Sequence, residues 1–228
     1  DWRKLGMWAI DTTNPNCWAS AERCVMLLMQ TSAADCVLIQ ETKVRSRPDD
    51  PHWCKRRARV LGWHAETSPA LCGANGGPSG GAAVLAKCGY GLIKHDDVVD
   101  DILQHRLLFS WFAGVVRGGI HVGSLWLKDS EGLSDLNHNI LRAAAVAITR
   151  LRGPWLIGGD WNVTPEELTA SGWLDMVGGM IVAPCLPTCN GKIFDFFVID
   201  RALAAAVEAV MRIEDAGSSP HWATRLIL

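Results

Sequence analysis

The chain has 228 residues, 49% of them hydrophobic and 20% charged, with eleven tryptophans and a formal net charge of −2. Such a composition excludes a disordered chain and supplies one sizeable core or two small ones; residues 1–228 read as a single domain. The near-neutral balance also excludes nucleic-acid binding by bulk charge, so any such binding needs a local patch.

Residues 5–10 form an apolar run that reads as a first strand ending at Asp11, followed by the loop Thr12-Thr13-Asn14-Pro15-Asn16. Residues 21–30 carry a broad apolar helical face behind a capping Ser20, and residues 35–40 are a second strand that delivers Glu41. A helix between two strands implies a crossover unit, which would bring Asp11 and Glu41 out at one sheet edge. Arg45, Arg47, Lys55, Arg56, Arg57 and Arg59 form the basic part of the chain, a solvated helix face or a patch that follows a phosphate backbone.

A strand is expected around Trp63-His64-Ala65, a loop over 73–81, and a strand of small residues over 80–86. Gly80 and Gly81 are badly spaced for a phosphate loop and read as a close backbone approach at a site rim. Residues 107–127 could span a bilayer by length, but Arg117-Gly118-Gly119 and His121 interrupt them, so they read as two strands of a hairpin. Residues 137–151 are periodic at helical spacing.

The stretch Gly158-Gly159-Asp160-Trp161-Asn162-Val163-Thr164-Pro165 follows an apolar strand and precedes a helix. Thr164 is its expected N-cap, with Pro165 at the first helical position and Glu167 completing a capping box. Asp160 and Asn162 therefore stand at the C-terminal end of a strand, either as an Asx turn or as groups that orient a water or hold a metal. Residues 173–182 read as a loop or short strand. Residues 193–200 are a strand that places Asp195 on one face with Phe197 and Ile199, a costly position for an unpartnered acid. Residues 203–211 fit a short helix or a strand, and a closing strand starts at His221.

The eight cysteines (17, 24, 36, 54, 72, 88, 185 and 189) include no CxxC pair and no zinc-finger spacing. They read as mostly buried thiols of a reducing compartment, Cys185 and Cys189 being the only close pair, which suits an intracellular protein, nuclear or cytoplasmic. The start Asp1-Trp2-Arg3-Lys4 has neither an apolar leader nor a Met, as expected of a domain cut from a longer chain.

Taken in order, Asp11, Gln40-Glu41-Thr42-Lys43, Ser79-Gly80-Gly81, Gly159-Asp160-Trp161-Asn162, Asp195 and Ser219-Pro220-His221 form a series. That series resembles the endonuclease/exonuclease/phosphatase superfamily, which includes apurinic endonucleases, deoxyribonuclease I, retroelement endonucleases and inositol-phosphate phosphodiesterases. The resemblance implies a two-sheet α/β sandwich with helices outside and a site at one edge between the sheets. It implies Glu41 and Asp11 as ligands of Mg²⁺ or Mn²⁺, Asp160 as the residue that activates water, and Asn162 as the amide on the scissile phosphate. It also implies that Asp195 pairs with a catalytic His221. Three departures stand out: Ala9 takes the place of the family's first-strand asparagine, Pro220 that of the aspartate before the last histidine, and Trp126 that of a tyrosine. Asp129 and Asp215 are the acids that could stand in at the second.

The expected activity is divalent-metal-dependent phosphodiester hydrolysis, endonucleolytic on nucleic acid and on DNA before RNA. Trp126, Arg56 and Arg57 are the candidate substrate contacts, and the protein is a monomer or part of a polyprotein such as a retroelement's. The rival expectations are a phosphatase for inositol or lipid phosphates, and a decayed pseudo-nuclease that only binds.

Overall fold

A computed structural model describes residues 2–24, 34–46, 49–73, 75–99, 103–214 and 218–228. Two six-stranded sheets face each other. The first has the order β13 (Ala209–Ile213), β14 (Ala223–Ile227), β1 (Ala9–Thr13), β2 (Cys36–Ile39), β6 (Ala82–Lys87), β3 (Trp63–Ser68). The second has the order β11 (Gly179–Val182), β12 (Asp195–Asp200), β10 (Trp155–Asp160), β9 (Ile120–Trp126), β8 (Leu107–Phe112), β7 (Leu92–Lys94). The hairpin of β4 (Leu71–Cys72) and β5 (Pro78–Ser79) stands apart. The pairs β1–β2 and β9–β10 are parallel and the remaining strand pairs antiparallel, so the crossover and the 107–127 hairpin expected from sequence both form.

Alternation along each strand sorts its side chains between the sheets and the outer layers. Ile10, Leu38, Val84, Leu108, Val122, Leu156, Phe197 and Leu226 fill the space between the sheets. Outside the second sheet, α2 (Asp135–Arg150) lays Ile140, Leu141 and Ala144 on Phe109, Ile157, Trp161 and Phe196. Outside the first sheet, α1 (Asp49–Val60) contributes Cys54 and Ala58 beside Trp63 and Leu85. Residues 18–24 are helical and add Trp18 and Ala21 to that layer; the remainder of the helix expected over 21–30 lies outside the described residues.

Three sequence expectations change. The first strand is Ala9–Thr13, behind a short 3-10 helix (Trp2–Leu5), so Asp11 sits mid-strand and does not end it. Residues 173–182 hold a helix, α4 (Trp173–Val177), before β11, because two left-handed glycines, Gly172 and Gly178, bracket a single turn that periodicity cannot register. Residues 203–211 turn out to straddle a 3-10 helix (Arg201–Ala206) and β13.

At Gly158 the two sheets come close. A Cβ there would lie 2.8 Å from Leu38, Thr12 and Phe197, so only glycine lets β10 approach β1 and β2. The approach lies just beneath the strand ends that carry the polar residues.

Candidate active site

Trp126, Asp160 and Asp195 form a row across the second sheet, since Asp160 is the register partner of Trp126 on β9 and of Asp195 on β12. Two acids side by side repel, and both are buried, so their position demands compensation. It comes from two directions. His221, just before β14, brings Nδ1 within 3.0 and 3.2 Å of the two Asp195 oxygens, and its Nε2 stands 3.6 Å from Asp160 Oδ2. An ionised carboxylate only accepts, so Nδ1 carries the proton donated to Asp195. From the first sheet, Asn14 Nδ2 donates to Asp160 Oδ2 and to Glu41 Oε2, both at 2.9 Å.

Local sequence sets each of these groups. Asn14 follows β1 and continues the inward face of Ile10 and Thr12, and Pro15 stops the strand there. Glu41 has φ +50°, a left-handed backbone uncommon outside glycine, which re-aims its side chain past the end of β2. Backbone bonds from Thr42 N to Gly81 O (3.0 Å) and Lys43 N to Gly80 O (2.9 Å) hold that turn, as the rim role of the glycine pair requires. Asn162, also left-handed at φ +47°, donates from Nδ2 to Leu127 O (3.0 Å), which leaves its second amide proton for another acceptor. After it, Thr164 and Glu167 form the expected capping box of α3 (Pro165–Ala170). Thr188 Oγ1 accepts from the backbone N–H groups of Phe194 and Asp195, both at 2.9 Å, and fixes the entry to β12.

The groups open into a cleft of about 550 Å³ lined by Asn14, Glu41, Trp126, Asp129, Asp160, Asn162, Cys189, Pro220 and His221, among others. Burial, then the charge of Asp195, push the Asp160 carboxyl up to about 7 against the pull of His221 and the Asn14 hydrogen bond. Burial alone would lower His221; the Asp195 hydrogen bond and the charges of Asp195, Asp160 and Glu41 outweigh it and hold the imidazole up at about 9.

Of the residues singled out by sequence, Glu41, Trp126, Asp160, Asn162, Asp195 and His221 come together. Asp11 does not. It has the opposite parity to Asn14, faces the outer side of the sheet, and gives both carboxylate oxygens to its cross-strand partner Arg225 at 2.7 and 2.8 Å. Arg56 and Arg57 do not line the cleft either. They lie on α1, where Arg57 pairs with Glu22 (3.1 Å) and the neighbouring Lys55 with Glu66 (2.6 Å).

Ala9 is no replacement for an asparagine: it is buried at the start of β1, its N–H bonded to Asp35, and the amide of the site is Asn14. The sequence signal for Asn14 was an asparagine directly before a proline at a strand end, masked by ending the strand three residues early, at Ile10. Sequence reasoning singled out Cys189 only as the close partner of Cys185, and it missed Thr188 and Arg106, the last of which lies 4.2 Å under the Trp126 ring. Asp129 lines the cleft beside Lys128, whereas Asp215 lies outside the described residues.

The profile of the Endonuclease/Exonuclease/phosphatase family matches residues 12–218. This chain belongs to that family. Its membership assigns it, in general terms, to the hydrolysis of phosphate esters. Among solved structures, it is similar to the AP endonuclease LMAP of Leishmania major, with a TM-score of 0.74 and 14% identity over 97% of this chain and 87% of that one. The endonuclease domain of TRAS1, a telomere-specific non-LTR retrotransposon, gives 0.72 and 15% identity, covering 97% and 98% of the two chains. A 3′ phosphatase from Neisseria, solved with a product DNA hairpin, gives 0.70 and 16% identity over 96% and 98%. At these identities the likeness concerns the fold, a deoxyribonuclease I-like two-sheet sandwich. No curated protein matches the sequence. Among the described residues, no helix is long and apolar enough to cross a membrane.

Proposed function

We propose that this chain is a divalent-metal-dependent phosphodiesterase that cleaves nucleic acid, DNA before RNA. The observation that carries the reading is the convergence of Asn14 and Glu41 from one sheet with Asp160 and the Asp195–His221 pair from the other. A decayed copy would keep the buried framework without needing to keep two adjacent buried acids, which cost stability unless they serve a function.

The residues fit a hard cation. Glu41 is partly exposed to the cleft, Asp160 Oδ1 has no hydrogen-bond partner among the described residues, and carboxylate and amide oxygens suit Mg²⁺ or Mn²⁺. Glu41 is the principal ligand in this reading; a metal ion bound there would neutralise charge on the phosphate.

The chain's own groups then divide the work. Asp160, with its proton affinity raised toward neutrality, takes a proton from the attacking water. Asn14 holds Asp160 and Glu41 in one orientation. Asn162 offers its spare amide proton to a phosphate oxygen, and the His221 imidazolium supplies a second donor and a positive charge where negative charge develops. Asp195 fixes the ring so that Nε2 faces the cleft. Trp126 offers an aromatic edge, stiffened from behind by Arg106, for a base or sugar.

Nicking of supercoiled plasmid by purified protein with Mg²⁺ or Mn²⁺ tests the reading, with an Asp160→Ala control and an abasic-site duplex alongside. Metal-dependent nicking that disappears in the control is the expected result. Equal silence of the two proteins on every nucleic acid, with turnover of an inositol or lipid phosphate instead, would overturn the nucleic-acid assignment.

A further inference from the structure

A second groove, of about 400 Å³, opens beside the cleft and is lined by Trp18, Lys43, Arg45, Asp50 and Trp53, among others. The chain itself connects the two. Glu41 lines the cleft, and the residues that follow it, Thr42 to Arg45, run along the groove. Lys43 Nζ donates to Asn16 Oδ1, and Asn16 is a cleft residue, so this pair stands between the two openings. Backbone bonds hold the groove in shape. Trp18 N donates to Thr42 O (2.8 Å), Ala70 N donates to Val44 O (2.6 Å), and Arg45 forms a β-bridge with Ala70.

Trp53 is the residue that packing does not explain. All eleven tryptophans lie among the described residues, and Trp53 alone is exposed, at 46%. α1 turns Cys54 and Ala58 to the sheet, which leaves Trp53 at the edge of that face, with no ring contact or hydrogen bond among the described residues. An indole left in water forgoes the burial that makes tryptophan valuable in a core.

The charges around it are mostly positive. Arg45 is exposed and makes no side-chain hydrogen bond or ion pair among the described residues, Lys43 is bonded to the neutral Asn16, and Asp50 is the one acid of the described wall. Arg56, also exposed, stands one turn beyond Trp53 on the same side of α1. In a chain of net charge −2 these residues form the local cationic patch that nucleic-acid binding requires.

An exposed indole among cations is a stacking platform for a base whose phosphates follow the groove. Paired bases cover one another's faces and present only their edges, so the base that fits is unpaired. We infer that this groove binds an unpaired stretch of the nucleic acid whose scissile phosphate lies in the cleft, with one base stacked on Trp53 and phosphates held by Lys43 and Arg45. Arg45 follows Glu41 by four residues, so their Cα atoms are at most about 14 Å apart. At about 3.4 Å per nucleotide along a strand, the unpaired stretch begins within about four nucleotides of the cut. The inference rests on the nuclease reading of the cleft and adds a substrate class to it: nucleic acid that is single-stranded beside the scissile bond.

The test is binding of fluorescently labelled DNA, followed by anisotropy without divalent metal so that no cutting intervenes. The probes are a blunt duplex and the same duplex with an unpaired thymidine tail at its 5′ or its 3′ end. Wild type is expected to bind one of the tailed duplexes about 5–100-fold more tightly than the blunt one. Trp53→Ala should lose that preference and bind the blunt duplex as wild type does, whereas Trp53→Phe keeps a stacking face and should retain most of it. Arg45→Gln tests the groove independently of Trp53: it should reduce the slope of log K against log salt for the tailed duplex by about 0.7, the share of one phosphate contact on a single strand. Equal affinity for all three duplexes, or a tail preference that Trp53→Ala keeps, would overturn the inference. The readout is independent of turnover, so a protein that nicks plasmid yet binds tailed and blunt duplexes alike refutes this inference alone. A Trp53-dependent tail preference in a protein that cuts no nucleic acid refutes the nuclease reading alone, and binding of none of the three duplexes refutes both.

Discussion

Asn14 Nδ2 lies 2.9 Å from Asp160 Oδ2, a bond between residues 146 apart that joins the end of a strand in one sheet to the end of a strand in the other. The same nitrogen holds Glu41. Removing the amide frees two carboxylates at once, so Asn14→Ala should lower the rate of metal-dependent nicking by roughly 10²–10³-fold, the usual effect of losing one preorganised donor. A rate within a few-fold of wild type would show that Glu41 and Asp160 keep their places without it.

Asp160 illustrates stability given up for function. Its folded carboxyl is raised from 3.8 to about 7, so between those values the folded state holds a proton that the unfolded state has lost. The folded protein therefore becomes less stable as pH rises through that window. Asp160→Asn removes the ionisation while keeping an oxygen for Asn14 to bond. It should abolish nicking and raise the melting temperature at pH 7.5, by roughly 2–4 °C for each kcal/mol of strain relieved. A variant that melts below wild type at that pH would contradict the account.

Asp11 and Arg225 form a buried ion pair, and the structural role assigned to it differs from a metal-binding one in a measurable way. Asp11→Ala leaves a buried guanidinium without its carboxylate, a loss that typically costs about 3–5 kcal/mol. Urea denaturation should register that loss. Mg²⁺ affinity of the folded protein, measured by calorimetry, should not change. A large drop in Mg²⁺ affinity at unchanged stability would return Asp11 to the metal site.

A pair of histidines, His95 and His121, lies on the second sheet. His121 Nε2 is 3.0 Å from Arg152 O, which only accepts, so its Nδ1 accepts from His95 Nε2 at 2.8 Å. Burial, and then the charge of His121, lower His95 below its ordinary 6.5, opposed by Asp96. The unfolded chain takes up this proton first, so stability falls as pH drops below 6.5, by at most about 1.4 kcal/mol per pH unit. Asp160 acts in the opposite sense over this range in both wild type and variant, so the check is the difference: in thermal melts from pH 8 to 5, His95→Gln should gain stability relative to wild type as pH falls below 6.5.

Local chemistry made much of this protein legible from its sequence. The capping box at Thr164 and Glu167, the hairpin at Gly118-Gly119 and the alternation around Asp195 depend on neighbours a few residues away, and each forms as expected. The order of Glu41, Asp160, Asn162, Asp195 and His221 was enough to indicate the family. Where a strand begins is less local. Ending β1 three residues early, at Ile10 where the strand runs to Thr13, was enough to exchange Asp11 for Asn14, because side-chain direction inverts with each residue along a strand and three is odd.

What the sequence alone determined, the end of β1 aside, is therefore the set of strand ends and the reactive side chains they carry. Only the tertiary structure decided which of those side chains meet. Register put Asp11 across from Arg225 and sent it outward, the close approach at Gly158 brought Asn14 to Asp160, and the turn at Lys192 set the Cys189 thiol against His221. Contacts between residues far apart in the chain are fixed by packing two sheets face to face, and no periodicity within one strand encodes the partner it will face.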